Sequence, residues 1–234
     1  MSASPSFPEG ASYWRLSRSI EESCEAASIA AATTGNSDVA ARLGTVVSLL
    51  YRMACCHWGC HGKEHVFEYL AGRTCTSAHS AYRLMGFGYY DEALALSRNI
   101  AEIGNLIHLF FTDNAHIRLW LDLPDKDRRR NYSPANVRAA LESLGAVVPT
   151  DQDRYSWLCE VGTHVTPRTL PQAHNDEKRP ILGGVFQPEG LNVSLESLAW
   201  SVCTVSAPLA KLALLDREQA ERLFEQSISL VEVL

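Results

Sequence analysis

Apolar residues recur every three or four positions through most of the chain, the period of helices that bury one face. From Tyr13 to about Ala32, Ile20, Cys24, Ala27 and Ala31 fall at this spacing. "TTGNSD" ends that helix, and Ser37 or Asp38 suits the N-cap of the next. The second helix carries Leu43, Val46, Leu50 and Met53 on one face and runs into "CCHWGCHG", residues 55 to 62. A third, from about Lys63 to Met85, carries Val66, Phe67, Leu70, Ala78, Ala81 and Leu84 or Met85. After "GFGYYD" a fourth runs from about Tyr90 to Leu121, with Ala93, Leu96, Ile100, Ile103, Ile107 and Phe110 as its seam. Its back holds Leu94, Ala101, Leu106 and Leu109, so it is apolar nearly all round and should lie at the centre.

The second half has shorter segments. "LPDKDRRRNYSP" reads as a charged loop, with Ser133 as N-cap and Pro134 as first residue of a helix through about Leu144. Another helix fits Asp151 to Thr163 and stops before Pro167, because the residue preceding a proline avoids helical geometry. Residues 165 to 193 are rich in Pro and Gly and read as an irregular region or a small hairpin turning at Pro188 to Gly190. Helices from about Ser194 to Leu215 and Arg217 to Val231 close the pattern. The expected architecture is one all-α domain, an antiparallel multi-helix bundle over residues 1–234 with a loose arm at 1–10.

Composition narrows the function classes. A net charge of −6 argues against a broad phosphate-binding surface, although a local basic pocket stays compatible with it. Arginine far outnumbers lysine, which occurs only at positions 63, 126, 178 and 211. The start of the chain has no basic-then-apolar leader, and no apolar run reads as long enough to span a bilayer, so no membrane partner is expected. Seven cysteines, an odd count, fit a cytoplasmic protein with reduced thiols. No Gly-rich phosphate loop, nucleophile elbow or dinucleotide fingerprint is present, and no cofactor is implied.

Three places carry candidate chemistry. On one unbroken helix, His57, His61 and His65 would share a stripe with Cys60, Glu64 and Glu68, and His57, Cys60 and His61 would be metal ligands. Gly59 and Gly62 argue for a break there, which should scatter this set and leave Glu64 and Glu68 in solvent. Second, Arg98 and Glu102, four apart, form the one oppositely charged pair inside a mostly apolar helix. Exposed, such a pair is worth about 0.3 kcal/mol; buried, it must be hydrogen-bonded to persist. Third, "RYSWLCEVGTHVTPRTL" brings Tyr155 and then His164, a side chain suited to proton transfer near neutral pH, to a helix end ahead of a proline.

A long helix with R-N-x-x-E at its middle, Arg98 to Glu102, followed by Tyr155, a short helix and a histidine before Pro167, resembles an uncharacterised bacterial family. The likeness spans about residues 40 to 215, and that family looks distantly similar to the HEPN (higher eukaryotes and prokaryotes nucleotide-binding) domains. The resemblance implies a helical binding module of a bacterial stress or defence system, often a homodimer, with RNA, a nucleotide or a protein as partner. It equally implies a metal-independent ribonuclease, in which a histidine moves the proton of a 2′-hydroxyl and an arginine four to six residues before it steadies the phosphate. Arg52 with His57, Arg73 with His79 and Arg168 with His174 have that spacing, and Arg73 with His79 share one helix. No arginine lies four to six residues before His164, so its cation would have to come from Arg98 in space. The resemblance thus points to His164, Arg98, Glu102 and Tyr155, with Arg73 and His79 as the alternative pair.

Overall fold

A computed structural model describes residues 8–31, 37–60, 64–164, 184–213 and 215–234. Within them the chain is an all-α bundle: α1 (Ala11–Ala31), α2 (Ser37–Ala54), α3 (Val66–Gly86), α4 (Tyr90–Thr112), α5 (Ala115–Asp122), α6 (Asp125–Asn131), α7 (Pro134–Ser143), α8 (Gln152–Gly162), α9 (Pro188–Leu212) and α10 (Arg217–Val231).

The apolar circumference of α4 is explained by its neighbours. Ala93, Ile100, Ile107 and Phe110 join the main core with α2, α3, α9 and α10. On other faces Leu94 and Ala101 pack on Leu158 of α8, and Leu109 packs on Val137 and Leu141 of α7. One helix therefore touches three separate apolar clusters. Gly104 lets α9 come close, since a Cβ there would overlap the Thr204 side chain. α9 is the second central helix, with Leu198, Val202, Val205 and Leu209 wholly buried. On length and composition α9 could cross a membrane, which the sequence reading had not expected of any segment, but 78% of that apolar window is buried inside the fold.

Side-chain caps open three of the helices. Ser133 Oγ accepts from the Asn136 amide at 3.4 Å, Asp151 Oδ1 from the Arg154 amide at 2.8 Å, and Asp216 Oδ1 from the Gln219 amide at 3.0 Å, each opening a helix as an N-cap.

Three expectations need correction. The fourth helix does not reach Leu121: Asp113 is extended (φ −139°, ψ 103°), and its Oδ1 accepts from the Ala115 amide at 3.0 Å, so the side chain takes over a backbone donor and restarts the chain as α5. The charged run Asp125 to Asn131 is a short helix, with acids in the first turn and Arg128, Arg129 and Arg130 in the last, the order that suits the helix dipole. Arg130 Nη2 reaches Asp127 Oδ1 at 2.9 Å, and Arg128 pairs with Asp125. Pro188 to Gly190 is no hairpin turn but the first turn of α9, because proline's fixed φ and missing N–H suit a helix start as well as a turn. Gly190 packs there against the Tyr90 ring. Residues 184–187 before it are coil, and 165–183, the rest of the expected irregular region, lie outside the described residues.

Candidate functional site

One turn apart on α4, Arg98 and Glu102 face α8, whose first turn delivers Tyr155. Arg98 Nη2 donates to Glu102 Oε1 at 2.7 Å and to the Tyr155 hydroxyl at 2.8 Å, and that hydroxyl donates to the same Glu102 oxygen at 2.9 Å. Arg98 Nη1 also reaches Thr163 Oγ1 at 3.4 Å. Arg138 of α7 lies over the Tyr155 ring, 4.3 Å from its centroid, and donates to Gln152 Oε1 at 2.6 Å.

The pair is half-buried, with 18% of the Arg98 and 29% of the Glu102 side chain exposed. Burial works against the Arg98 charge, but the bond to Tyr155 and the charge of Glu102 outweigh it and hold its pKa above the ordinary value. Burial pushes the Tyr155 phenol up to about 12; the bond to Arg98 opposes this and the one to Glu102 adds to it. Tyr155 therefore keeps its proton at neutral pH. The triangle is closed on itself: it clasps α8 to α4, and Nη2 is already shared between two partners.

Gly162 ends α8 so close to α4 that a Cβ would stand 2.7 Å from the Ala95 nitrogen. Just beyond it, the His164 amide donates to the Cys159 carbonyl at 2.8 Å. His164 is exposed and shares an open depression of about 340 Å³ with Tyr155, Ser156, Cys159 and Glu160. Arg98 and Glu102 do not line that wall. The structure thus brings Arg98, Glu102 and Tyr155 together and sets His164 beside Tyr155 in a depression that Arg98 and Glu102 do not line.

Arg73 and His79 are both exposed on α3 but open onto different depressions. Six residues apart, they stand about 120° apart around the helix. Arg52 and His57 are likewise exposed, and Arg168 and His174 lie outside the described residues.

Arg73 belongs to a groove of about 360 Å³ between α3, α4 and the α5–α7 arm, with Asn99, Glu102, Asn105, Trp120 and Tyr132. Asn105 is buried and bonds the Thr150 backbone twice, Nδ2 donating to the carbonyl at 2.8 Å and Oδ1 accepting from the amide at 3.0 Å. Trp120 meets Phe110 edge-on at 6.0 Å, and the Tyr132 hydroxyl lies 2.9 Å from His116 Nδ1. Sequence reasoning missed this groove. Its one signal was two aromatic residues flanking the charged run of α6, 12 positions apart and invisible to a periodicity search.

His108, also missed, sits half-buried on α4 next to α9. Burial lowers its pKa to about 4, against the opposing hydrogen bond with the Thr204 backbone.

At "CCHWGCHG" the break occurs as expected: α2 ends at Ala54, and Gly59 takes φ 93°. The expected scattering follows only in part: His57 and Glu64 stand outside the group that forms, while Cys60, His65 and Glu68 stay together. Cys56 (φ 55°) and His65 (φ 50°) also adopt left-handed backbone, and donor atoms of Cys56, Cys60, His65 and Glu68 lie within 4.8 Å of one another. Among the described residues, these are the ones grouped so that they could hold a metal. Glu68 is buried rather than solvated, its side chain 2% exposed and its Oε1 3.4 Å from His65 Nδ1. Glu64 is exposed, as expected, and accepts from Arg118 Nη1 of α5 at 3.1 Å. His57 is exposed and not in the cluster, and His61 lies outside the described residues. No family model matches this chain, and no curated protein and no solved structure is significantly similar to it.

Proposed function

We propose that the protein is a non-catalytic helical binding module, of the HEPN-like kind its resemblance implies, and that it takes a nucleotide or a short single-stranded RNA in the groove of Arg73, Trp120 and Tyr132. The observation that carries this reading is the chemistry of that groove. Its volume of about 360 Å³ is within the usual range of small-ligand pockets. Trp120 and Tyr132, both partly exposed, line the groove with aromatic surface for a base, Asn99 offers an amide for a base edge, and exposed Arg73 offers a cation for a phosphate. The net charge of −6 favours a mononucleotide or a few nucleotides over a long phosphate track. A binding role is also supported against cleavage by the clasp, since Arg98 is committed to Glu102 and Tyr155 and does not line the depression that holds His164. The setting the resemblance suggests is a bacterial stress or defence system.

Calorimetry of the purified protein with AMP, GMP and short oligoadenylate tests this. Losing a stacking platform costs about 1–3 kcal/mol, so Trp120→Ala should weaken binding roughly tenfold to a hundredfold, and His79→Ala should leave it unchanged. No saturable binding to any of these ligands would overturn the proposal. Incubation with mixed RNA under chelator separates the ribonuclease reading: intact RNA is expected, and cleavage abolished by His164→Ala would replace binding with catalysis.

A further inference from the structure

We propose that Cys56, Cys60, His65 and Glu68 bind a structural Zn²⁺ ion that pins the connection between α2 and α3. This goes beyond the groove and does not depend on it.

The argument starts from the donors. Two thiols, an imidazole and a carboxylate, spaced Cys-x₃-Cys-x₄-His-x₂-Glu, place one ligand atom each within 4.8 Å of all the others. A tetrahedral ion with bonds of about 2.0–2.3 Å sets its ligand atoms about 3.3–3.8 Å apart. The His65 Nδ1 to Glu68 Oε1 separation, 3.4 Å, already has that value. Closing the widest remaining gap takes about 1 Å, within the reach of side-chain rotation for thiols on a connecting segment.

The backbone supplies an independent observation. Among the described residues only two non-glycine positions have positive φ, and both, Cys56 and His65, are donors in this set. Such conformations are disfavoured for residues with a Cβ and concentrate where function demands a particular side-chain direction. Here the demand is convergence on one point. Glu68 contributes a third argument: its carboxylate is buried beside the two sulfurs and the imidazole, and a divalent cation is the group that balances a buried carboxylate among metal-ligand side chains.

The donor set selects the ion. Thiolate ligands exclude Mg²⁺ and Ca²⁺, and a mixed S₂NO tetrahedron suits Zn²⁺. Four protein ligands leave no open position, which makes the site structural. On binding, each thiol loses its proton to solvent and the thiolate sulfur donates its electron pair to Zn²⁺, with no change of oxidation state.

The test uses the full chain, reduced, treated with chelator and titrated with Co²⁺ and then Zn²⁺. One Co²⁺ per chain should produce thiolate-to-cobalt charge transfer and intense visible bands, bleached by one equivalent of Zn²⁺. His65→Asn keeps a residue that tolerates left-handed backbone while removing the imidazole, and Cys60→Ser changes an exposed side chain; both should remain folded. Even residues that only support ligands change metal affinity 10–100-fold, so each variant should weaken binding at least about a hundredfold. His57→Ala and Cys55→Ser should bind like the wild type. The proposal is overturned if reduced protein shows no charge-transfer band, if His65→Asn and Cys60→Ser bind as well as the wild type, or if His57→Ala abolishes binding.

Discussion

His108 makes the stability of this fold depend on pH in a calculable way. Its pKa is lowered to about 4 by burial, whereas in an unfolded chain a histidine titrates near 6.5. Above about pH 6.5 the group is neutral in both states and contributes no pH dependence. Between about 6.5 and 4 the unfolded chain takes up a proton that the folded one refuses, so stability falls with pH at up to about 1.4 kcal/mol per unit. The cumulative loss is about 2 kcal/mol at about pH 5 and levels off near 3 kcal/mol below about pH 4. Carboxylates titrate over part of this range, so the measured quantity must be the difference between wild type and His108→Gln, which keeps a hydrogen-bonding side chain and cannot titrate. In urea, with a slope of about 2–3 kcal/mol per M, the gap between their midpoints should shift by roughly 0.7–1 M between about pH 7 and about pH 5, to the disadvantage of the wild type. A gap that stays constant over that range refutes the reasoning, because it would mean that folded His108 takes up its proton as readily as the unfolded residue.

Two further outcomes follow from buried polar contacts. Tyr155→Phe removes the hydroxyl shared by Arg98 and Glu102 and should lower stability by about 1–2 kcal/mol in thermal unfolding; because the phenol is held near 12, Tyr155 ionisation read by ultraviolet absorbance should appear only well above the ordinary phenol midpoint of about 10. Asn105→Ala strips both partners from the buried Thr150 backbone and should cost about 2–4 kcal/mol, each orphaned group accounting for about 1–3 kcal/mol, read as a loss of urea midpoint.

The legible parts of the chain were those where one local rule acts alone. The seam of α4 follows from its period, and the starts of α7 and α8 follow from Ser133 and Asp151 accepting amide protons that a helix leaves unpaired. Where two rules compete, the sequence is silent about the winner. Pro188 satisfies a turn and a helix start equally, and the packing of Gly190 on Tyr90 decides for the helix. Asp113 interrupts an apolar pattern that continues on both sides of it, so periodicity runs straight through the break. The pair Arg98 and Glu102 was visible by spacing, and Tyr155 by its place on the next helix but three; that one glutamate oxygen serves both partners is a matter of geometry. For Cys60, His65 and Glu68 the helical arithmetic assumed one unbroken helix, and Cys56 did not enter it, whereas α2 ends at Ala54 and α3 begins at Val66. Angular position has no meaning across left-handed residues, and the grouping exists only in the folded path.

The position of α4 against α9 has a consequence for how the chain is made. α4 ends at Thr112 and α9 at Leu212, so about a hundred residues must be translated between completion of the first and completion of its principal covering. At about 5–20 residues per second that interval is roughly 5–20 s, far longer than a helix needs to form. During it, the face of α4 around Ile100, Gly104 and Ile107 is made but lacks Leu198, Val202 and Val205. The nascent chain therefore carries an uncovered apolar stripe for seconds, and the bundle can close only after its second central helix has left the ribosome.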